Sequence, residues 1–307
     1  MKKRYGDQLF KAIAYIFGCS IIAMLGLMVW EMFRGSSFAL DKYGLGFLFS
    51  SSWDPVTEEF GAWPFIYGTI VSSLLALVIA TPISIGIAVF LVEVAPKWFR
   101  DVVGFLIELL AAIPSIVYGL WGIFVLGPII REYIAPVFIN TLGKFIPFFA
   151  GPSFGVGIFT AGVILAIMII PTIASISREV IMVVPDAQRE AALALGATKW
   201  EMIRTAVLTY SRSGILGAMI IGLGRAIGET MSVTMVIGNR PEVPDSIFDP
   251  AYTMASVIAN EFNEASSDIY LSTLIEIGFL LFAVTLLVNI FARFLVWTTS
   301  RGIQEAK

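Results

Sequence analysis

The sequence contains no histidine and only one cysteine, Cys19. Without histidine, the chain has no imidazole to act as a general base near neutral pH or to bind a metal ion. A single cysteine cannot form a disulfide within the chain. Most side-chain catalysis is therefore excluded, and we expect neither a metal site nor a bound cofactor.

Charged residues are also scarce, at 14% of the chain, and the net charge of -3 gives no basic surface that would bind nucleic acid. A P-loop needs a lysine followed by serine or threonine after a glycine-rich turn. No lysine in this sequence precedes either residue. The chain is therefore predicted not to hydrolyse ATP and not to be an enzyme, so that any ATP-driven role would need a separate ATPase subunit.

Apolar residues dominate what is present: 58% of the 307 residues are hydrophobic, and the mean hydropathy is +0.87. Crossing the roughly 30 Å apolar core of a bilayer takes about 20 apolar residues in a helix. The sequence therefore predicts an all-α membrane protein with six spans, near Ala12–Phe33, Ile66–Val92, Val102–Leu126, Phe154–Ile176, Ser213–Ile237 and Leu271–Trp297. A further stretch, Tyr133–Gly151, is interrupted by two prolines and is interpreted as an interfacial or re-entrant part of a loop.

The distribution of lysine and arginine across the loops predicts the orientation. With both termini inside, fourteen of the twenty basic residues lie on the cytoplasmic side and five on the outer side, and Arg225 lies within the fifth span. From the spans and this orientation, we expect a cytoplasmic segment over residues 1–11, followed by one transmembrane domain over 12–307 with its core helices at 66–297. On the outer side, the loops carry eleven acidic residues, which would repel a free oxyanion.

The cytoplasmic loop between the fourth and fifth spans is predicted to form two short helices. Asp186 is a good N-cap for the first helix, and Gly196 permits the left-handed conformation that ends a helix. Thr198 and Glu201 have the spacing of a capping box for the second. The alternative is a solvated loop that only ties two spans together, but the apolar Trp200 beside these charges favours a surface that meets a partner.

The fifth span combines glycines with a pair of charges. Gly217, Gly224 and Gly228 fall on one side of a continuous helix and would let a neighbouring helix approach closely. Arg225 and Glu229 are spaced to neutralise each other at membrane depth. The pair is either a packing salt bridge or part of a water-filled path in which Arg225 attracts an oxyanion and Glu229 prevents permanent binding.

The loop resembles the EAA loop found in the permease subunits of ATP-binding cassette (ABC) importers. Glu190, Ala191 and Ala192 are followed at the family's spacing by Gly196 and by Leu208. Two positions depart from the usual pattern, Ala206 for isoleucine and Thr209 for proline. The resemblance implies a coupling loop over about 186–209, in which Glu190, Ala191, Ala192 and Gly196 transmit closure of a cytoplasmic ATPase to the membrane helices.

Other stretches narrow the resemblance to phosphate-specific permeases of the PstC type. They are FLF at 47–49, SSWDP at 51–55, FGAWPFIYGT at 60–69, AIPSIVYGLWG at 112–122 and GLGRAIGET at 222–230. This resemblance implies the type I permease fold in the inner membrane and a translocation path for inorganic phosphate that includes Arg225 and Glu229. It also implies four kinds of partner: a second, PstA-like permease, two PstB-like ATPase subunits, a PstS-like external phosphate-binding protein and the lipid bilayer.

Three alternatives remain on the sequence alone. One is a non-transporting membrane anchor or sensor, for which the pair of Arg225 and Glu229 would have no evident use. A permease for another oxyanion, such as molybdate or sulfate, would have the same overall features. An ion-coupled secondary transporter would call for internal repeats and acidic residues near the middle of the membrane, and neither is evident. A requirement for ATP in transport would distinguish an ATP-driven permease from an ion-coupled secondary transporter.

The topology can be tested with a cysteine in place of Thr198, in a chain whose native Cys19 has been replaced by serine. Because basic residues favour the inside, we expect this cysteine to react with a membrane-impermeant maleimide only after the inner face is exposed. Labelling from outside in intact cells would contradict the predicted orientation.

Overall fold

The computed structural model describes residues 5–304, with side chains at 6–294 and 296–297. It is helical, as predicted, apart from a hairpin of two short antiparallel strands. The strands are β1 (Trp53–Asp54) and β2 (Glu59–Phe60). The helices are α1 (Tyr5–Gly35), α2 (Ser37–Tyr43), α3 (Trp63–Val89), α4 (Lys97–Ala111), α5 (Ser115–Trp121), α6 (Gly127–Ile129), α7 (Ala135–Thr141), α8 (Ile158–Met182), α9 (Asp186–Ala194), α10 (Lys199–Met202), α11 (Leu208–Ile227), α12 (Met231–Val236), α13 (Met254–Glu261) and α14 (Asp268–Gln304).

Several of these helices join end to end into longer ones through π-helical turns at Gly122–Leu126, Ile130–Ile134 and Ile203–Val207, and a further π-helical turn at Phe90–Val94 extends α3. Counted this way, the described residues contain six helices long and apolar enough to cross a membrane. They are Gly6–Gly35, Trp63–Val94, Ser115–Lys144, Ile158–Met182, Lys199–Ile227 and Asp268–Phe294. The predicted number of spans is confirmed, and residues 5–11 of the predicted N-terminal segment already belong to the first helix.

The connections between spans gather at two ends of the bundle. The end with α9 and the turn at residues 195–198 is called the knuckle end, and the end with β1 and β2 is called the hairpin end. At the hairpin end, the strands and α13 enclose an aromatic cluster in which Trp53 packs edge-on against Phe65. The Glu261 carboxylate accepts hydrogen bonds from the Trp53 indole (2.9 Å) and the Tyr270 hydroxyl (2.6 Å). These contacts fix the hairpin to the first turns of α3 and α14.

Helix α8 is the centre of the bundle. Its apolar window is 72% buried inside the chain, whereas that of α1 is 0% buried. It packs between α3 and α11, and glycines make the approach possible on both sides: a Cβ at Gly162 would lie 2.5 Å from Leu75, and one at Gly222 would lie 2.7 Å from Ile173. Helix α1 instead contacts α14 near its C-terminal end, and the rest of α1 is exposed.

The third span is not the continuous helix over 102–126 that hydropathy predicts. Helix α4 ends at Ala111, and a new helix begins at Ser115, because Pro114 lacks an N–H and disfavours a helical residue before it. The two helices run along α8 in succession: Gly104 lies beside Arg178 and Gly122 beside Ile164.

The stretch interpreted as a re-entrant loop also differs from its prediction. Residues 133–144 continue the third-span helix, which ends in a 3-10 turn at Leu142–Lys144, and a second 3-10 turn follows at Pro147–Phe149. Pro136 lies just after the π-helical turn Ile130–Ile134, and the helix continues past it, whereas Pro147 lies beyond the helix at the start of a 3-10 turn. Of the two prolines that favoured a loop, only Pro136 is therefore accommodated within a helix.

The fifth span begins and ends earlier than predicted. The second of the two short loop helices, α10, continues without interruption into α11, so one helix runs over Lys199–Ile227. At the other end, α11 ends at Ile227, and residues 228–230 are not helical before α12 begins at Met231. The predicted span Ser213–Ile237 therefore crosses a helix break, which decides where Glu229 lies.

Candidate functional site

Arg225 lies two residues before the end of α11 and is half-buried. Its Nη1 donates a hydrogen bond to Thr172 Oγ1 of α8 at 3.0 Å. Helices α8 and α11 therefore meet at this cation, and the group that α8 offers is a neutral hydroxyl.

Glu229 lies in the break between α11 and α12. Its Oε1 accepts a long hydrogen bond of 3.5 Å from the Ser232 N–H at the start of α12. The expected pairing with Arg225 is not found: over the described part of the chain, no ion pair within 4.0 Å joins the two residues or joins either to another charge. The i,i+4 register needs a continuous helix, and α11 has already ended at Ile227.

The glycines of α11 divide between two faces. Ala218, Gly222 and Ala226 face α8 and are buried. Gly217 and Gly224 lie on the other face. The predicted close approach of a helix to them is not found within this chain, because a Cβ added at either glycine would meet nothing within 4 Å. By helical geometry Arg225 falls at the border between the packed face and this open face. The open side of the site must therefore be completed by solvent, lipid or another subunit.

Thr172 is the residue of this site that was not recognised from the sequence. Thr172 is a single hydroxyl in an apolar stretch directly after Pro171, and it is 53 residues from Arg225. The only available signal was a polar residue beside a proline inside the span. Such residues are common in spanning helices, so the signal does not identify a partner.

The predicted coupling loop has the turn and the second helix start expected from its sequence, but Asp186 is the first residue of α9 and not its N-cap, which is Pro185 and makes no side-chain capping hydrogen bond. Helix α9 is followed by Gly196 at φ +84°, a conformation that glycine adopts without strain. The capping box is confirmed: the Thr198 N–H donates to Glu201 Oε2 at 2.8 Å, and the Glu201 N–H donates to Thr198 Oγ1 at 3.3 Å. The turn between α9 and α10 is therefore fixed by backbone geometry and by hydrogen bonds.

The predicted coupling residues lie on two sides of α9. Glu190 and Ala191 are exposed at the knuckle end. Ala192 is half-buried and packs against an apolar cluster that contains Met202, Ile203 and Val207. Nearby apolar side chains are strongly exposed, namely Leu193 (47%), Leu195 (89%) and Trp200 (65%). The helix is thus anchored by one side while the other carries an apolar and acidic surface that suits a protein partner.

Arg189 is a further functional candidate that was not recognised from the sequence. It lies on α9 directly before Glu190, but its side chain turns into the bundle and pairs with Glu93. The two residues are 96 positions apart, so no local spacing indicates the contact.

Residues 80–300 match the family model described as "Binding-protein-dependent transport system inner membrane component". The match covers α9, Gly196, Arg225 and Glu229. The chain belongs to this family. It is therefore a multi-pass membrane component of a transport system that depends on a binding protein.

Curated relatives cover nearly the whole chain. A protein of Haemophilus influenzae named "Phosphate transport system permease protein PstC" is 46% identical, and the alignment covers 94% of this chain and 93% of the relative. A protein of the same name from Xylella fastidiosa strain 9a5c is 48% identical over 94% of this chain and 89% of its own length. "Phosphate transport system permease protein PstC 2" of Mycobacterium tuberculosis is 44% identical over 94% of this chain and 91% of the relative.

Two kinds of solved ABC transporter share the fold at low sequence identity. A chain of the MetNI methionine transporter in an inward-facing conformation has a TM-score of 0.55 and 17% identity, covering 81% of this chain and 99% of its own. A chain from a bacterial transporter that imports the polysaccharide alginate has a TM-score of 0.58 and 17% identity, covering 97% and 99%. This family member therefore has the type I permease fold predicted from its sequence.

The left-handed turn at Gly196 gives a test of the coupling loop. We expect Gly196→Val to weaken recovery of the ATPase subunits, because a β-branched residue is strained at φ +84°. Gly196→Asn should retain them, because asparagine tolerates this conformation. No atom lies within 4 Å of the added Cβ, so steric clash does not complicate the comparison. Co-purification measures the effect, and equal recovery with valine and asparagine would contradict it.

Proposed function

We propose that the chain is the non-catalytic permease subunit of an ATP-driven importer and forms part of the path for inorganic phosphate. The observation that carries the proposal is the alignment with the three PstC proteins, which extends over 94% of the chain at 44–48% identity. The proposed assembly contains a second, PstA-like permease and two PstB-like ATPase subunits. A PstS-like external phosphate-binding protein delivers the substrate.

The proposed orientation puts the knuckle end in the cytoplasm, together with both termini. Arg100, Arg178, Arg189, Lys199 and Arg204 all belong to this end or to the first turns beside it. Their excess agrees with the rule that basic residues remain inside. This orientation presents α9 and its exposed Glu190 and Ala191 to cytoplasmic ATPase subunits.

The electrostatics of the Arg225 site suit passage of an oxyanion. A cation at membrane depth usually has an acidic partner or borders a water-filled path. Arg225 has a hydroxyl partner in Thr172 and lies beside the open face of α11. Its charge therefore remains available to an anion. Glu229 is separate from it, so its negative charge opposes permanent binding without occupying the guanidinium, as transport requires release as well as entry.

The proposed substrate can be tested with the purified complex of both permeases and the ATPase subunits, reconstituted in vesicles with the binding protein. We expect ATP-dependent uptake of labelled phosphate that excess unlabelled phosphate abolishes and excess sulfate or molybdate does not. Vesicles without ATP or without the binding protein are the controls. Uptake that persists without ATP would indicate a secondary transporter, and preferential inhibition by molybdate or sulfate would identify another oxyanion permease.

Arg225 can be tested in the same vesicles. We expect Arg225→Gln to lower phosphate uptake per assembled complex roughly 30-fold or more, since removing one partner of a desolvated charge contact costs about 2 kcal/mol or more. Arg131→Gln is the matched control, because it removes an arginine that is largely exposed and paired with its neighbour Glu132.

The exchanged variant with Arg225→Glu and Glu229→Arg separates permeation from charge balance. It should assemble but not transport, because an acid then occupies the position that faces the anion. Recovery of phosphate uptake by this double variant would contradict a role for Arg225 in the path.

A further inference from the structure

The guanidinium of Arg189 joins three parts of the chain and is only 15% exposed. Its Nε and Nη2 donate to Glu93 Oε1 at 3.1 and 2.9 Å. Its Nη2 also donates to the Ile181 carbonyl at 3.2 Å, and its Nη1 donates to the Val184 carbonyl. One side chain of the coupling helix α9 therefore contacts the ends of both the second and the fourth spans.

On the Glu93 side of this contact, the backbone turn that carries Glu93 is itself bound by a second arginine. Glu93 lies in the π-helical turn Phe90–Val94 that ends the second span, and its side chain is only 7% exposed. Arg100 of α4 donates to the Leu91 and Val92 carbonyls of the same turn at 2.8 and 2.6 Å. The otherwise unpaired carbonyls of this helix end are thus satisfied by side chains, and Glu93 is held in place to receive Arg189.

The other side of the contact leads to the Arg225 site. Ile181 and Val184 lie at the end of α8, where unpaired carbonyls and the helix dipole both favour a cation. Thr172, the hydrogen-bond partner of Arg225, lies on the same helix nine residues earlier, at a distance of about 14 Å along the axis. Displacement of the knuckle end of α8 is therefore carried along a continuous helix to the residue that holds Arg225.

We infer that Arg189 is a positioning residue that transmits movement of α9 to α3 and α8, and through α8 to Arg225. The inference rests on the proposed function, since the movement is supplied by ATPase subunits that dock on α9. The apolar contact of Ala192 with the Met202 cluster is non-directional and allows sliding. Arg189 is directional, because its planar guanidinium forms several hydrogen bonds at fixed angles.

The chain contains a matched control for this pair. Asp186 also pairs with Arg189, at 3.1 Å, but its side chain is 89% exposed. Exposed pairs contribute little, whereas removing one partner of a buried pair leaves an uncompensated charge. Glu93→Gln and Asp186→Asn therefore each remove one carboxylate from the same arginine, with different expected consequences.

The test measures phosphate transported per ATP hydrolysed by the reconstituted complex, normalised to assembled protein. We expect Glu93→Gln to lower this ratio about tenfold while ATP hydrolysis continues, because the ATPase then moves α9 without moving the spans. Arg189→Lys should lower it in the same direction, since an ammonium cannot reproduce the fork of hydrogen bonds. Asp186→Asn should keep the wild-type ratio.

A purely structural role makes a different prediction. Transport and hydrolysis would then fall together with the amount of assembled complex, and their ratio would not change in Glu93→Gln or Arg189→Lys; that result would overturn the inference. If Glu93→Gln does not assemble, Arg189→Lys decides between the two.

A second measurement does not depend on the substrate. Spin labels at Gln188 and Lys97, both exposed, report the distance between α9 and the start of α4 in a complex whose Cys19 is serine. We expect one narrow distance in the wild type with and without ATP, and a broad distribution in Glu93→Gln. Equal distributions would overturn the link even if phosphate is transported. Absence of phosphate uptake by the wild type would instead contradict the proposed function alone.

Discussion

Helix α8 packs against α3 and α11 at points where only glycine leaves enough room, Gly162 beside Leu75 and Gly222 beside Ile173. In lipid, helices gain little from hiding apolar surface, so association depends on such close packing and on hydrogen bonds. The positions of Arg225 and Arg189 depend on this arrangement. Thr172 reaches Arg225 because α8 and α11 are in contact, and the end of α8 reaches Arg189 because α9 folds back on it.

Arg189 and Arg225 differ in the partners that the chain gives to their charges. Arg189 is paired with a buried carboxylate and with carbonyls, which suits a fixed contact. Arg225 has a neutral hydroxyl and an open side. Both charges lie in poorly solvated surroundings, where a charge without a partner is costly. For Arg189 the partners lie within the chain, and for Arg225 we propose that an oxyanion completes the site.

Much of the fold was predictable because lipid imposes a strong constraint on the sequence: spans must be apolar and helical. The number of spans, the Gly196 turn and the Thr198 capping box were all predicted correctly. The breaks within the spans were not predicted, because hydropathy counts apolar residues and does not detect where the backbone leaves the helix. Placing Glu229 opposite Arg225 failed for this reason, since Gly228 ends the helix. The Thr172 and Glu93 contacts join residues that are 53 and 96 positions apart, and no periodic pattern connects them.

Helix α1 is exposed along its apolar window, and it carries the only thiol of the chain, Cys19, which is also exposed. The native sequence thus contains a single chemical reporter in the segment that the rest of the chain leaves uncovered. A lipid-soluble thiol reagent or a fluorophore at this position would sense its surroundings without any mutation. Its reactivity and emission would differ between a lone subunit in detergent, where lipid-like molecules cover α1, and an assembly in which protein does so.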